Sequence, residues 1–299
     1  MYNVILRTLL LLSLTAFLLY CNTPKENGMD PARYSEYISE WDSERLESLK
    51  SPGGWLNLAG LFWLEEGENS VGSDAGNDII FPRGPARVGD LIQEGDIVRF
   101  RPYGETNVKA DGTQLSGTTA IYGEGTDARL LTVDSLAFFI IRRGERSAVR
   151  LRDYMSYRLE LEKIERFRPD QRWIIRARFI ESEQELTIRI PDVLGGISEE
   201  KAPGILEFEF DGETYRLYPT GSRDRLFIIF ADDTNALETY GGGRFLVAGG
   251  PDDDGYVYMD FNKAYNPPCA LTPYATCPLP PRENFLPFRV EAGEKSVQY

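Results

Sequence analysis

After Trp55 the apolar residues come in short runs, none longer than the six of 136–141, and turn residues separate them. Runs of this length suit strands and are too short for core helices. The first series covers 55–64, 78–81, 96–100, 128–133, 136–142 and 148–153. Its turns carry Glu94-Gly95-Asp96, Asp111-Gly112 and Arg143-Gly144. A polar, proline-containing break at 163–172 separates it from a second series at 173–180, 186–190, 205–210, 213–218, 225–230 and 256–261. The strongest local signal is 206–218, where two alternating runs flank Asp211-Gly212, a favoured two-residue hairpin turn. The fold class read from this pattern is mainly β, with two packed sandwich or meander subdomains.

One helix is predicted, over 31–50. Asp30 is a good N-cap and Pro31 suits the first helical position. Tyr34, Ile38, Trp41 and Leu49 recur at three to four residues, with Tyr37 and Leu46 beside them, and Gly53-Gly54 stop the helix. The aromatic stripe is read as the face that packs on the β-domain.

Composition narrows the chemistry. No histidine occurs among the 299 residues, which removes Ser-His-Asp and Cys-His catalysis and His-ligated metals. Lys and Arg total 33 against 47 Asp and Glu, a net charge of −14, so nucleic acid is not an expected partner. No G-x-S-x-G, phosphate-loop or dinucleotide fingerprint is present, and no cofactor is expected. The run Asp252-Asp253-Asp254-Gly255 lacks the alternating ligands and closing Glu of a calcium loop, so it is read as an exposed turn and no metal is expected.

Residues 1–20 read as a signal peptide, with Arg7 ahead of an apolar stretch from Leu9 to Tyr20 that is short for a membrane span. Leu18-Leu19-Tyr20-Cys21 and the polar residues after it resemble a bacterial lipobox, with Tyr20 where that motif has a small residue. The resemblance implies lipidation of Cys21, attachment to a membrane surface and a place in the bacterial cell envelope. Exported thiols meet an oxidising compartment, so Cys269 and Cys277 are expected as a disulfide closing a short loop, with buried free thiols or a redox or metal-binding dithiol as the alternatives.

Several blocks in order resemble one family: 54–64, 150–153, 230–234, 239–246, 260–270 (Asp-Phe-Asn-Lys-Ala-Tyr-Asn-Pro-Pro-Cys-Ala), 277–281 with Asn284, and 291–294. The chain is identified over 40–297 as similar to the domain of unknown function (DUF) 1684 family, which implies no assigned activity. More weakly, 67–145 resembles a forkhead-associated (FHA) β-sandwich through Gly67-Glu68-Asn69-Ser70-Val71-Gly72, 77–82 and Asp111-Gly112. Ser73 stands where that family's phosphothreonine-binding Arg would follow Gly72, and the Ser-x-x-His segment is missing. The resemblance therefore implies a shape without phosphopeptide recognition. The expected organisation is a signal peptide (1–20), a lipid-anchored linker and amphipathic helix (21–50), an FHA-like β subdomain (51–162) and a C-terminal β subdomain with the Asn-Pro-Pro-Cys loop (173–299).

Candidate site residues lie at the ends of the apolar runs. Asp260, Asn262, Tyr265 and Asn266 form either the floor of a polar pocket or a hydrogen-bonded structural knot. Arg150, Arg152 and Arg244 form either an anion clamp or ion pairs with Asp232 or Asp260. Two functions stand. One is a membrane-tethered module that binds a polar or anionic ligand. The other is a histidine-independent hydrolase using Asp232, Asp233 or Asp260 with arginine clamps. Arg152, Arg244, Asp232, Asp260, Asn262 and Tyr265 are expected to lie together. A concave pocket where carboxylates and arginines converge is the feature that bears on both readings.

Overall fold

The computed structural model describes residues 28–123, 125–182 and 186–297. The signal segment and Cys21 lie outside the described residues. The molecule is mainly β, as expected, with one α-helix near its N-terminus.

Two sheets pack face to face in the first half of the chain. One has six strands in the order Leu58–Trp63, Arg146–Asp153, Leu136–Arg143, Leu131–Val133, Lys109–Ala110 and Thr113–Gln114. The other has five: Ile79–Ile80, Gly67–Gly72, Gly89–Glu94, Ile97–Pro102 and Thr119–Tyr122. Alternation along Arg146–Asp153 sends Val149 and Leu151 into the core, where Phe138 meets Phe81 at 5.4 Å and Phe100 at 5.7 Å between ring centroids. Arg150 and Arg152, out of phase with those residues, leave by the opposite face.

The second half repeats the design. Strands Glu213–Leu217, Ile205–Phe210, Ile174–Ile180 and Tyr256–Asp260 form one sheet. Thr220–Ser222, Arg225–Asp232 and Arg244–Gly249 form another, extended by Phe285–Leu286 lying parallel to Ala231 and Asp232. Their core includes Trp173, Leu206, Phe230, Met259 and Phe261. Phe210 pairs with Glu213, so Asp211 (φ 49°) and Gly212 (φ 85°) form the two-residue turn that Asp-Gly favours.

Helix α1 spans Pro31–Lys50. Asp30 Oδ1 accepts the Ala32 N–H at 3.0 Å and the Arg33 N–H at 3.4 Å. The helix ends one turn earlier than the glycine pair, at a Ser51 C-cap, and Gly54 then passes the helix end closely. A Cβ on Gly54 would lie 2.1 Å from the Leu49 carbonyl oxygen. Tyr34 and Ile38 pack on Ile174, and Leu49 packs on Leu56 and Leu271. The stripe is thus a packing face, and the helix bridges the start of the first sandwich and the last loops of the second.

Candidate functional site: a charged groove beside helix α1

Of the predicted cluster, Arg152 lies apart, while the Arg244–Asp232 pair and the Asp260–Asn266 segment are adjacent, Phe245 pairing with Tyr265 and Arg244 Nη1 lying 3.5 Å from the Glu294 carbonyl. Arg244 and Asp232 are fully buried, with Arg244 Nη2 2.8 Å from Asp232 Oδ2. Arg244 also donates to the carbonyls of Val290, at 2.9 Å, and Ala292. Asp232 Oδ1 accepts the Thr234 N–H and hydroxyl and the Val290 N–H. Burial pushes the Arg244 pKa down, against the pull of Asp232. The pair staples the chain end to strands Arg225–Asp232 and Arg244–Gly249. It leaves no carboxylate open to a substrate. Asp233 is exposed and separate from this pair, so no acid–base pair forms there.

Asp260 is likewise consumed. Tyr34 Oη lies 2.8 Å from both of its oxygens, and Oδ1 also accepts the Asn262 N–H and Nδ2–H. Asn262 exchanges hydrogen bonds with the backbone of Asp170 at 2.9 Å in both directions. Asn266 donates its N–H to Glu294 Oε2 at 2.7 Å and its Nδ2–H to the Lys295 carbonyl at 2.7 Å. These residues form the structural knot, with Tyr34 of the helix as a partner that the sequence pattern left unassigned.

Arg152 corrects a specific expectation. It pairs with neither Asp232 nor Asp260. Its Nη1 donates to the Gly54 carbonyl and to Asn57 Oδ1 at 2.6 Å, within the first sandwich. Arg150 is buried near the ring of Trp55, and its Nε and Nη2 have no acceptor among the described residues. Cys269 and Cys277 are free thiols in contact, not the disulfide expected from their export. The Cys269 N–H donates to Cys277 Sγ at 3.0 Å, which gives that buried sulfur a polar partner without a bridge. Asp252 accepts the backbone N–H groups of Asp254 and Tyr256, the exposed turn that was expected.

Arginines and carboxylates do converge, but one layer out from the knot. A groove of about 310 Å³ runs between helix α1 and the polar segment 162–166. Ser39, Asp42, Ser43 and Arg45 line it from the helix, Arg166 from the segment and Glu294 from the chain end. Arg166 Nη1 is 2.6 Å from both oxygens of Asp42. Arg45 donates through Nε and Nη2 to Glu294 and through Nη2 to the Asn266 carbonyl at 3.1 Å. Arg166 Nη2 donates to the Asn262 carbonyl. The Arg45 guanidinium lies 4.4 Å from the Tyr265 ring centroid. Asn262, Tyr265 and Asn266 thus back the groove, while helix and segment supply its charges. Burial raises the Asp42 pKa and Glu294 pushes the same way, against Arg166 and Arg45. Arg166 Nε is buried and has no acceptor among the described residues.

The signal for these residues was present but weak. Asp42 and Arg45 are three apart, hence neighbours on a helix, and Glu294 closes the last family-like block. Among the described residues no group of three or more acidic or cysteine side chains is placed to hold a metal ion.

No curated protein matches the chain. A solution NMR structure of an uncharacterized protein from Haloarcula marismortui is 28% identical, over 46% of this chain and 77% of that one, with a TM-score of 0.38. A family described as "Protein of unknown function (DUF1684)" matches residues 160–295, a shorter stretch than the 40–297 expected. That stretch holds Arg166, Asp260, Asn262, Asn266 and Glu294, so these residues lie where the chain is similar to that family.

Proposed function

We propose that the chain is a membrane-tethered module that binds a small anionic ligand in the groove between helix α1 and segment 162–166. The observation that carries this reading is the pairing of two mostly buried arginines, Arg45 and Arg166, with two carboxylates around a single concavity, where one carboxylate, Asp42, holds its proton more tightly than usual. An incoming anion competes with Asp42 for Arg166, and guanidinium groups suit planar or tetrahedral oxyanions. The lipobox-like segment supports the tether, and detergent partitioning tests it. Wild type is expected in the detergent phase and Cys21→Ala in the aqueous phase. Wild type in the aqueous phase would contradict the tether. The forkhead-associated resemblance adds shape only, because Ser70 is tied to Asp78 and Ser73 to the Gly84 carbonyl.

Sulfate, which does not titrate in the range concerned, is a suitable probe. As pH falls through the raised pKa of Asp42, the carboxyl takes up its proton and releases Arg166, so sulfate affinity rises. The same uptake affects stability. The folded carboxyl binds its proton at higher pH than the unfolded one. The ionised form is therefore penalised above the raised pKa, and stability rises as pH falls through it. Asp42→Asn is expected to bind sulfate well at neutral pH and to lose the pH dependence. Equal, pH-independent binding by wild type and variant would contradict the role given to Asp42.

The hydrolase reading survives only as Asp42 acting as an acid beside Glu294. Both carboxylates are clamped by arginine, which favours binding over proton transfer.

A further inference from the structure

A second polar centre lies away from the groove, where the first sandwich meets the loop 269–277. Arg150 is only 6% exposed, yet its Nε and Nη2 lack acceptors among the described residues. A buried guanidinium in that condition is costly unless a negative charge stands near it. Among the described residues no carboxylate is paired with it. The thiols of Cys269 and Cys277 lie in the loop that packs against this sheet and are in contact with each other, and the Arg150 charge favours the Cys269 thiolate. Arg143, exposed at the end of the same hairpin, donates through Nε to Thr276 Oγ1 at 2.9 Å and fixes the loop against this sheet. Cys277 is 3% exposed, whereas Cys269 is partly open to solvent.

We propose that Cys269 and Cys277 form a redox-active dithiol, with Cys269 the attacking thiolate, Cys277 the resolving thiol and Arg150 the counter-charge, and that it reduces small disulfides. The inference is independent of the groove reading. The hydrogen bond from Cys277 and the charge of Arg150 hold the Cys269 thiol below its ordinary pKa, while sharing that hydrogen bond and burial push Cys277 up. Burial, with Arg143 and Arg152 nearby, brings Arg150 down to about 10, which still leaves it charged at neutral pH. Tyr240 beside the pair is pushed up by burial and stays neutral; Tyr274 lies in the loop itself and Asp192 pairs with Pro278 next to Cys277.

The reaction balances without a cofactor. The Cys269 thiolate attacks one sulfur of an external disulfide and expels one thiolate, leaving a mixed disulfide. Cys277 gives its proton to solvent and attacks the Cys269 sulfur, expelling the second thiolate. Two protein thiols are oxidised by two electrons to one disulfide, and the external disulfide is reduced to two thiols.

The test uses the full chain, with iodoacetamide labelling and glutathione disulfide as probes and peptide mass mapping as the readout. Cys269 in wild type should alkylate with an apparent pKa below the value of about 8.5 for a free cysteine. Glutathione disulfide should convert the pair to a 269–277 disulfide, and Cys277→Ser should stop at the mixed disulfide on Cys269. Arg150→Met should slow alkylation of Cys269 near neutral pH by about tenfold, and Arg150→Lys should restore most of the rate. If Arg150→Met does not fold, the wild-type pH profile and the Cys277→Ser trapping still decide. Cys269 labelling no faster than a free cysteine, or both thiols surviving glutathione disulfide, would overturn the proposal.

Discussion

Arg244→Ala is expected to destabilise the protein by about 3–5 kcal/mol, because it leaves the Asp232 carboxylate buried without its cation. Both side chains are fully buried, so solvent cannot compensate. The same substitution removes donors from the Val290 and Ala292 carbonyls, which detaches the chain end from the sheet. Urea denaturation followed by tryptophan fluorescence would measure the loss. Replacing both partners with apolar residues, as in Arg244→Met with Asp232→Leu, should cost less than Arg244→Ala alone, since no charge is stranded. A single-variant loss below about 1 kcal/mol would show that the pair is not the staple described.

Trp173→Ala is expected to cost a similar amount, about 3–5 kcal/mol, through lost burial and the cavity left behind. Trp173 is 2% exposed and stacks on Phe210 at 5.1 Å, which stacks in turn on Phe288 at 4.6 Å. The adjacent Ile174 receives Tyr34 and Ile38 of helix α1, so collapse around position 173 would also loosen the helix that forms one wall of the groove. Trp173→Phe should retain most of the stability. Chemical denaturation of the two variants checks the ordering.

The sequence was most legible where structure is local. The 206–218 hairpin and the Asp30-capped helix depend on neighbours within a few residues, and both formed as expected. Strands Gly67–Gly72 and Ile197–Ala202 escaped a reading by hydrophobic run. The first buries Asn69 and Ser70, whose polar groups are satisfied by Glu65, Gly67 and Asp78. The second exposes five of its six residues, because it belongs to a two-stranded hairpin. Strand Arg244–Gly249 was also missed, since its leading Arg is a buried cation.

For the site, residue type at a run's end correctly marked Asp232, Arg244, Asp260 and Asn262 as buried and partnered. It did not fix who pairs with whom. Arg152 found a carbonyl and Asn57 in its own sandwich. Asp260 found a tyrosine 226 positions away. The groove depends on Arg45 reaching Glu294 across 249 positions and Arg166 reaching Asp42 across 124. Only the packed fold sets such distances.

The central claim is that ligand enters the charged groove beside helix α1 and not the buried polar knot behind it. Ser39 and Ser43 are exposed groove residues outside its ion pairs, so Ser39→Trp should fill the cavity without disturbing Asp42, Arg45, Arg166 or Glu294. Calorimetric titration of wild type and Ser39→Trp with sulfate, near the acidic end of the range where the fold persists, is the direct measurement. The account predicts binding by wild type and its loss in Ser39→Trp at an unchanged melting temperature; equal binding by the two proteins, or no binding by wild type, would contradict it.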